Sequence, residues 1–167
     1  MAAKSSQIAL QELLITRVFE ASREAVWKAW TEPEMVKKWW GPELFTAPVV
    51  KIDLRVGGTY LYCMRGPDGR EHWSGGRYIE IVPPERLVCT EYSSNARGDV
   101  VDPNTLGLGP DFPKEHAVTI TFERVGKKTK LTVCYTPESE AVLDVMREIH
   151  MKEVWESALE KLAHNLH

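Results

Sequence analysis

The residues in this chain best suited to chemistry are aromatic. Trp39, Trp40, Tyr60, Tyr62, Trp73, Tyr78 and Trp155 lie on predicted elements that would wall a cavity, with Met64, Met146 and Met151 as adaptable neighbours. Small-molecule sites are usually apolar clefts walled by aromatics and a few polar groups, and polarizable Met side chains fit irregular partners. A solid aromatic core would use the same residues. Period-two alternation turns Tyr60, Tyr62 and Met64 to one face of their strand, assigned inward because aromatics on an outer face bury nothing. Gly75-Gly76 predicts a bulge in the next strand, which leaves the register of Tyr78 open.

The ionisable residues carry less. His72, His116 and His150 lie on three separated elements, and His164 and His167 close to the end. No HExxH, CxxC or paired His–carboxylate spacing occurs, so no metal is expected. An enzyme of the polyketide-cyclase kind needs a positioned acid or base inside its cavity. Glu80, Glu91, His72 and Arg77 are the nearest candidates, and all four read as outer-face strand residues. Gly57-Gly58 lies between strands rather than ahead of a helix, so it is no phosphate loop. No catalytic residue and no cofactor is expected. Cys63, Cys89 and Cys134 are odd in number, widely spaced and without basic neighbours, and read as packing residues in a reduced chain.

Several elements must position these side chains. Residues 8–20 alternate as a half-buried strand. Ser22 caps a first helix carrying Val26, Trp27 and Trp30, and Thr31 with Glu34 has capping-box spacing for a second, carrying Met35, Val36, Trp39 and Trp40 as far as Gly41-Pro42. Six strand-like segments follow: 45–54, 60–64, 73–82, 86–92, 117–124 and 130–135. The turns between them include Pro67-Asp68-Gly69 and Gly126-Lys127-Lys128. A last helix is predicted from Thr136-Pro137-Glu138 to Leu166, about 45 Å at 1.5 Å per residue. Its apolar stripe of Val142, Met146, Ile149, Trp155, Leu159, Leu162 and Leu166 needs a broad apolar surface, and the curved sheet supplies it. Residues 96–116, with three Gly and three Pro, read as a lid closing Leu106, Leu108 and Phe112 over a cavity mouth, as a subunit contact, or as a disordered loop.

Composition narrows the classes. The 167 residues predict one domain with a full core, and 43% apolar with 27% charged residues is ordinary for a globular chain. A net charge of −3 provides no basic field for nucleic acid or an anionic membrane. No apolar run is long enough to span a bilayer, and MAAKSSQIAL lacks the regions of a signal peptide. The expectation is a cytoplasmic protein, monomer or homodimer.

The order strand, two helices, six strands, long helix resembles the START-like (SRPBCC) helix-grip superfamily. The stretches VWKAWTEPEMVKKWWGP (26–42), DLRVGGTYLYCMRGPDG (53–69), GRYIEIVPPERLVCTE (76–91) and VWESALEKLAHNL (154–166) resemble motifs of the homologues of the activator of the heat-shock-protein-90 ATPase. This implies an α+β fold: a seven-stranded curved antiparallel sheet wrapped around a long C-terminal helix, with two short helices between strands 1 and 2. It implies an apolar cavity between sheet and helix that holds a hydrophobic or amphipathic small molecule, lined by the aromatic and Met set with Phe112. A cyclase-like enzyme and a co-chaperone with a chaperone partner are the alternatives. The family commonly has Gly before the C-terminal Trp; Val154 here implies a smaller cavity or a tilted helix. Eukaryotic activators carry a further N-terminal domain, so chaperone activation does not follow from the resemblance alone.

Overall fold

The structure is a computed structural model that describes residues 11–166. Seven strands, β1 (Leu13–Phe19), β2 (Thr46–Ile52), β3 (Thr59–Arg65), β4 (Glu71–Val82), β5 (Arg86–Ser94), β6 (His116–Val125) and β7 (Lys128–Tyr135), form one curved antiparallel sheet in the order β1-β7-β6-β5-β4-β3-β2. Helices α1 (Arg23–Thr31) and α2 (Pro33–Val36) connect β1 to β2, and α3 (Glu140–Glu148) and α4 (Met151–His164) follow β7. The sheet is therefore the expected one. The stretch MAAKSSQIAL (1–10), which includes the first three residues of the predicted segment 8–20, and His167 lie outside the described residues.

Alternation decides what each strand buries. Leu13, Ile15 and Phe19 of β1 are buried, while Leu14 and Val18 face out. Leu87 and Cys89, Val118, Ile120 and Phe122, and Leu131, Val133 and Tyr135 continue the inner face across the sheet. Over it lie Val26, Ala29 and Trp30 of α1, Val142, Leu143 and Met146 of α3, and Trp155, Ala158, Leu159 and Leu162 of α4.

Three local expectations are corrected. Ser22 caps α1 as expected, its Oγ accepting from Ala25 N–H at 3.2 Å. Thr31 caps nothing: it is the buried last residue of α1, and its hydroxyl donates back to the Trp27 carbonyl at 2.8 Å. The second helix is the four residues of α2, and Trp39 and Trp40 stand in the turn after it. The predicted bulge at Gly75-Gly76 falls instead between Tyr78 and Glu80; both glycines pair in register with Leu61 and Tyr60.

The C-terminal segment is two helices. It starts at Ser139, whose Oγ accepts from Val142 N–H, and it breaks at His150, a left-handed residue with φ 55°. At about 100° per residue, the nine residues from Met146 to Trp155 would set those side chains on opposite faces of one straight helix. The break brings both against the sheet. Ile149, counted in the apolar stripe, is 44% exposed at the corner.

Candidate functional site

The aromatic residues converge between the sheet and α4. Trp30 and Trp40 come from the α1–α2 side, Tyr60 and Tyr62 from β3, Tyr78 from β4, and Trp155 from α4. Leu87, Cys89, Glu91, Val118 and Ile120 of β5 and β6 form the floor. Together they enclose about 20 Å³, room for about one water molecule.

The rings form a box. Trp30 and Trp155 stack with their planes 6° apart and centroids 5.7 Å apart, and Trp40 stands at 88° to Trp155 at 5.4 Å. Tyr62 closes on Trp40 at 4.6 Å, and Tyr60 on Tyr62 at 4.8 Å. Gly76 makes room for this. A Cβ there would lie 1.9 Å from the Thr90 carbonyl oxygen and 2.5 Å from the Tyr60 hydroxyl. With only hydrogen in the way, Tyr60 OH donates to that carbonyl at 2.6 Å, and Arg77 N–H turns to Thr90 Oγ1 at 3.0 Å.

One polar chain crosses the box. Trp155 Nε1–H donates to Tyr135 OH at 3.0 Å, and Tyr135 OH donates to Glu91 Oε2 at 2.9 Å. His116, the cross-strand partner of Glu91, puts Nε2 3.5 Å from Glu91 Oε1 without hydrogen-bond geometry. Both ring nitrogens of His116 are buried and lack a hydrogen-bond partner among the described residues. Phe112 lies edge-on to this imidazole at 5.7 Å, so the segment before β6 covers the histidine. That segment is built rather than structureless: Val100 bridges to Ser94, and Pro103–Leu106 form a 3-10 turn capped by Asp102.

Burial pushes the hydroxyls of Tyr60, Tyr62, Tyr78 and Tyr135 well above the usual tyrosine range and the Cys89 thiol up to about 12. These groups are neutral at physiological pH. Glu91 is the one carboxyl group in the lining, and no Lys or Arg joins it.

Of the residues singled out from sequence, the structure brings Trp40, Tyr60, Tyr62, Tyr78 and Trp155 together around the cavity. It places the others elsewhere. Trp39 is buried behind the box, stacked obliquely on Trp30, with Nε1–H donating to the Ala29 carbonyl at 2.9 Å. Met64 pairs with His72 toward the end of β3, where a Cβ on Gly41 would come within 3.3 Å of it. Trp73 pairs with Cys63, on the face opposite Tyr62. Phe112 covers His116, while Met146 lines a second cavity, of about 330 Å³, between the start of β1 and the α3–α4 corner. Met151 packs on the core outside the aromatic lining.

Glu91 was read as an outer-face residue, and the structure turns it inward. The signal was present: Leu87, Cys89 and Glu91 share one parity, as do His116, Val118 and Ile120, and Leu131, Val133 and Tyr135. Among the described residues no cluster of three or more His, Cys, Asp or Glu is arranged to hold a metal, and no helix is long and apolar enough to cross a membrane.

A curved antiparallel sheet closed by a C-terminal helix over an aromatic cavity defines a helix-grip, START-like protein. Residues 20–167 match the model of the family described as activator of Hsp90 ATPase homolog 1-like protein, and the chain belongs to that family, one of ligand-binding or co-chaperone type. Protein Ms6760 from Mycobacterium smegmatis is similar in structure, with a TM-score of 0.80, 25% identity, and 93% of this chain and 90% of that one covered. A protein from Arthrobacter aurescens has a TM-score of 0.80 and 26% identity over 95% and 91% of the two chains. The AHSA1 protein from Silicibacter pomeroyi, at 21% identity and a TM-score of 0.70 over 93% and 97%, shares the fold. No curated protein matches the chain.

Proposed function

We propose that this chain binds an amphipathic small molecule between the sheet and α4. The observation that carries the reading is an aromatic box with a single carboxyl group at its floor, the pattern of an apolar site with one orienting polar group. The cavity as it stands accommodates a water, so binding requires Trp40 or Tyr62 to swing aside. Trp40 is the half-buried member of the box and stands in a turn rather than in a helix or strand.

Native mass spectrometry of freshly purified protein, beside the denatured mass, tests this. The expected result is an added mass of a few hundred daltons that vanishes on denaturation and is lost in Tyr62→Ala. A bare mass across purifications from several growth conditions, with no thermal shift from an amphipathic compound library, would reject it.

Glu91 beside His116 also favours a second reading, a cyclase-like enzyme in which the carboxylate moves a proton. It requires Glu91→Gln to abolish turnover while binding persists. Equal loss of both, or of neither, sets it aside.

A further inference from the structure

Resting on the reading of the box as a ligand site, we infer that its ligand carries an organic ammonium group, held by Glu91 and the surrounding indole and phenol rings. Three observations lead there. First, Glu91 is the one carboxyl group of the lining, which holds no Lys or Arg, and the other ionisable groups there are phenols and a thiol that burial keeps neutral; His116 faces Glu91 from the next strand at 3.5 Å. The Arg77 guanidinium pairs with Glu115 on the other face of the sheet, at 2.9 and 3.0 Å, and supplies no counter-charge.

Second, Glu91 is underused. A carboxylate accepts about four hydrogen bonds. Glu91 Oε2 takes one from Tyr135, and Oε1 faces His116 at 3.5 Å without a formed bond. A carboxylate repels an anionic ligand, and a neutral apolar one would cover Glu91 while leaving its remaining acceptor sites unfilled.

Third, the rings present π faces and edges at right angles, with Trp30 parallel to Trp155 and Trp40 and Tyr62 turned across them. Aromatic faces carry negative potential and attract cations within about 6 Å, indole most strongly. Once Trp40 or Tyr62 has swung aside, indole and phenol rings with a carboxyl group at their base suit an alkylammonium in chemistry.

The test compares benzyltrimethylammonium with neopentylbenzene, which has the same shape with carbon in place of nitrogen. Binding is followed by tryptophan fluorescence and by native mass. The expected result is that the cation binds about tenfold or more tighter than its isostere, and that Glu91→Gln collapses the ratio of the two affinities toward one. The wild-type comparison needs no variant, so it stands if Glu91→Gln folds poorly. Equal affinities, or a preference that survives Glu91→Gln, would overturn the ammonium assignment and leave the cavity reading intact. Failure of both probes to bind would overturn the assignment, while the mass and library experiments above decide the cavity reading separately.

Discussion

Tyr135 holds two buried groups with one hydroxyl: it accepts from the Trp155 indole and donates to Glu91. Tyr135→Phe keeps the ring and orphans both partners. Each buried polar group left without a partner costs about 1–3 kcal/mol, so the urea midpoint should fall by an amount equivalent to about 2–4 kcal/mol with the m-value unchanged. A loss below about 0.5 kcal/mol would mean that water or His116 takes over the bonds. The buried thiols make a second residue-scale prediction. Cys89 has its pKa raised, chiefly by burial, from 9.0 to about 12, and Cys63 and Cys134 shift the same way. Above pH 9 the unfolded chain releases these protons while the folded one keeps them, so the unfolded state binds fewer protons and stability falls as pH rises. The four buried tyrosines start from 10.0, so in the unfolded chain each is about a tenth ionised at pH 9 and half ionised at pH 10, and they add to the fall. The Cys89 share is at most about 1.4 kcal/mol per pH unit and weighs most near pH 9, at the foot of the tyrosine titration. Cys89→Val should therefore lessen the slope near pH 9 in a urea series without abolishing the steeper fall above it, and an unchanged slope near pH 9 would assign the fall to the tyrosines.

At the scale of elements, the α3–α4 corner puts His150 in the conformation that glycine favours. Ile149 and His150 N–H groups return to the Val145 and Arg147 carbonyls, and His150 follows the end of α3 with φ 55° and ψ 40°. A non-glycine residue there costs about 1–2 kcal/mol. His150→Gly relieves that cost and gives part of it back as unfolded-chain entropy, for a net gain near 1 kcal/mol. His150→Ala should not gain, because it keeps the Cβ. Thermal denaturation of the pair separates a left-handed corner from a continuous helix, in which Gly would lose about 1 kcal/mol relative to Ala. This corner also marks the limit of what could be read in advance. The helix-period pattern on each side of it was legible, since Val142 to Met146 and Trp155 to Leu162 both repeat at helical spacing. The phase jump between them was legible too, but no glycine or proline flags it. The strands were read well because their turns carry explicit chemistry at Gly57-Gly58, Pro67-Asp68-Gly69 and Pro83-Pro84. Glu91 was misplaced because a carboxylate among apolar neighbours reads as outward until parity is counted from Leu87. The pairing that returns it inward, Glu91 with His116, spans a connection whose geometry no local pattern shows.

For the molecule as a whole, two walls of the small cavity are latched together. Lys161 of α4 donates its ammonium to the carbonyls of Trp40, Pro42 and Phe45, at 3.5, 3.2 and 3.0 Å. Burial lowers its pKa, with Glu43 opposing the shift. The same helix that contributes Trp155 to the box thus also ties down the turn that contributes Trp40. On the proposed ligand reading, stability and access are coupled through one side chain: the closed state buries the rings, and a ligand larger than water needs that turn to move. Apparent affinity then falls in proportion to the open fraction. Lys161→Met keeps the aliphatic packing and removes the three charged hydrogen bonds, so it should cost about 1–3 kcal/mol of stability and speed capture of the neutral fluorescent probe N-phenyl-1-naphthylamine in stopped flow. Trp40→Ala should speed capture as well and lower final fluorescence, because a wall of the box is gone. The opposed signs carry the argument, since loss of stability alone would leave capture unchanged or weaken binding. Slower or unchanged capture in Lys161→Met would show that the latch does not gate the cavity and that access runs past Tyr62 or the Phe112 segment.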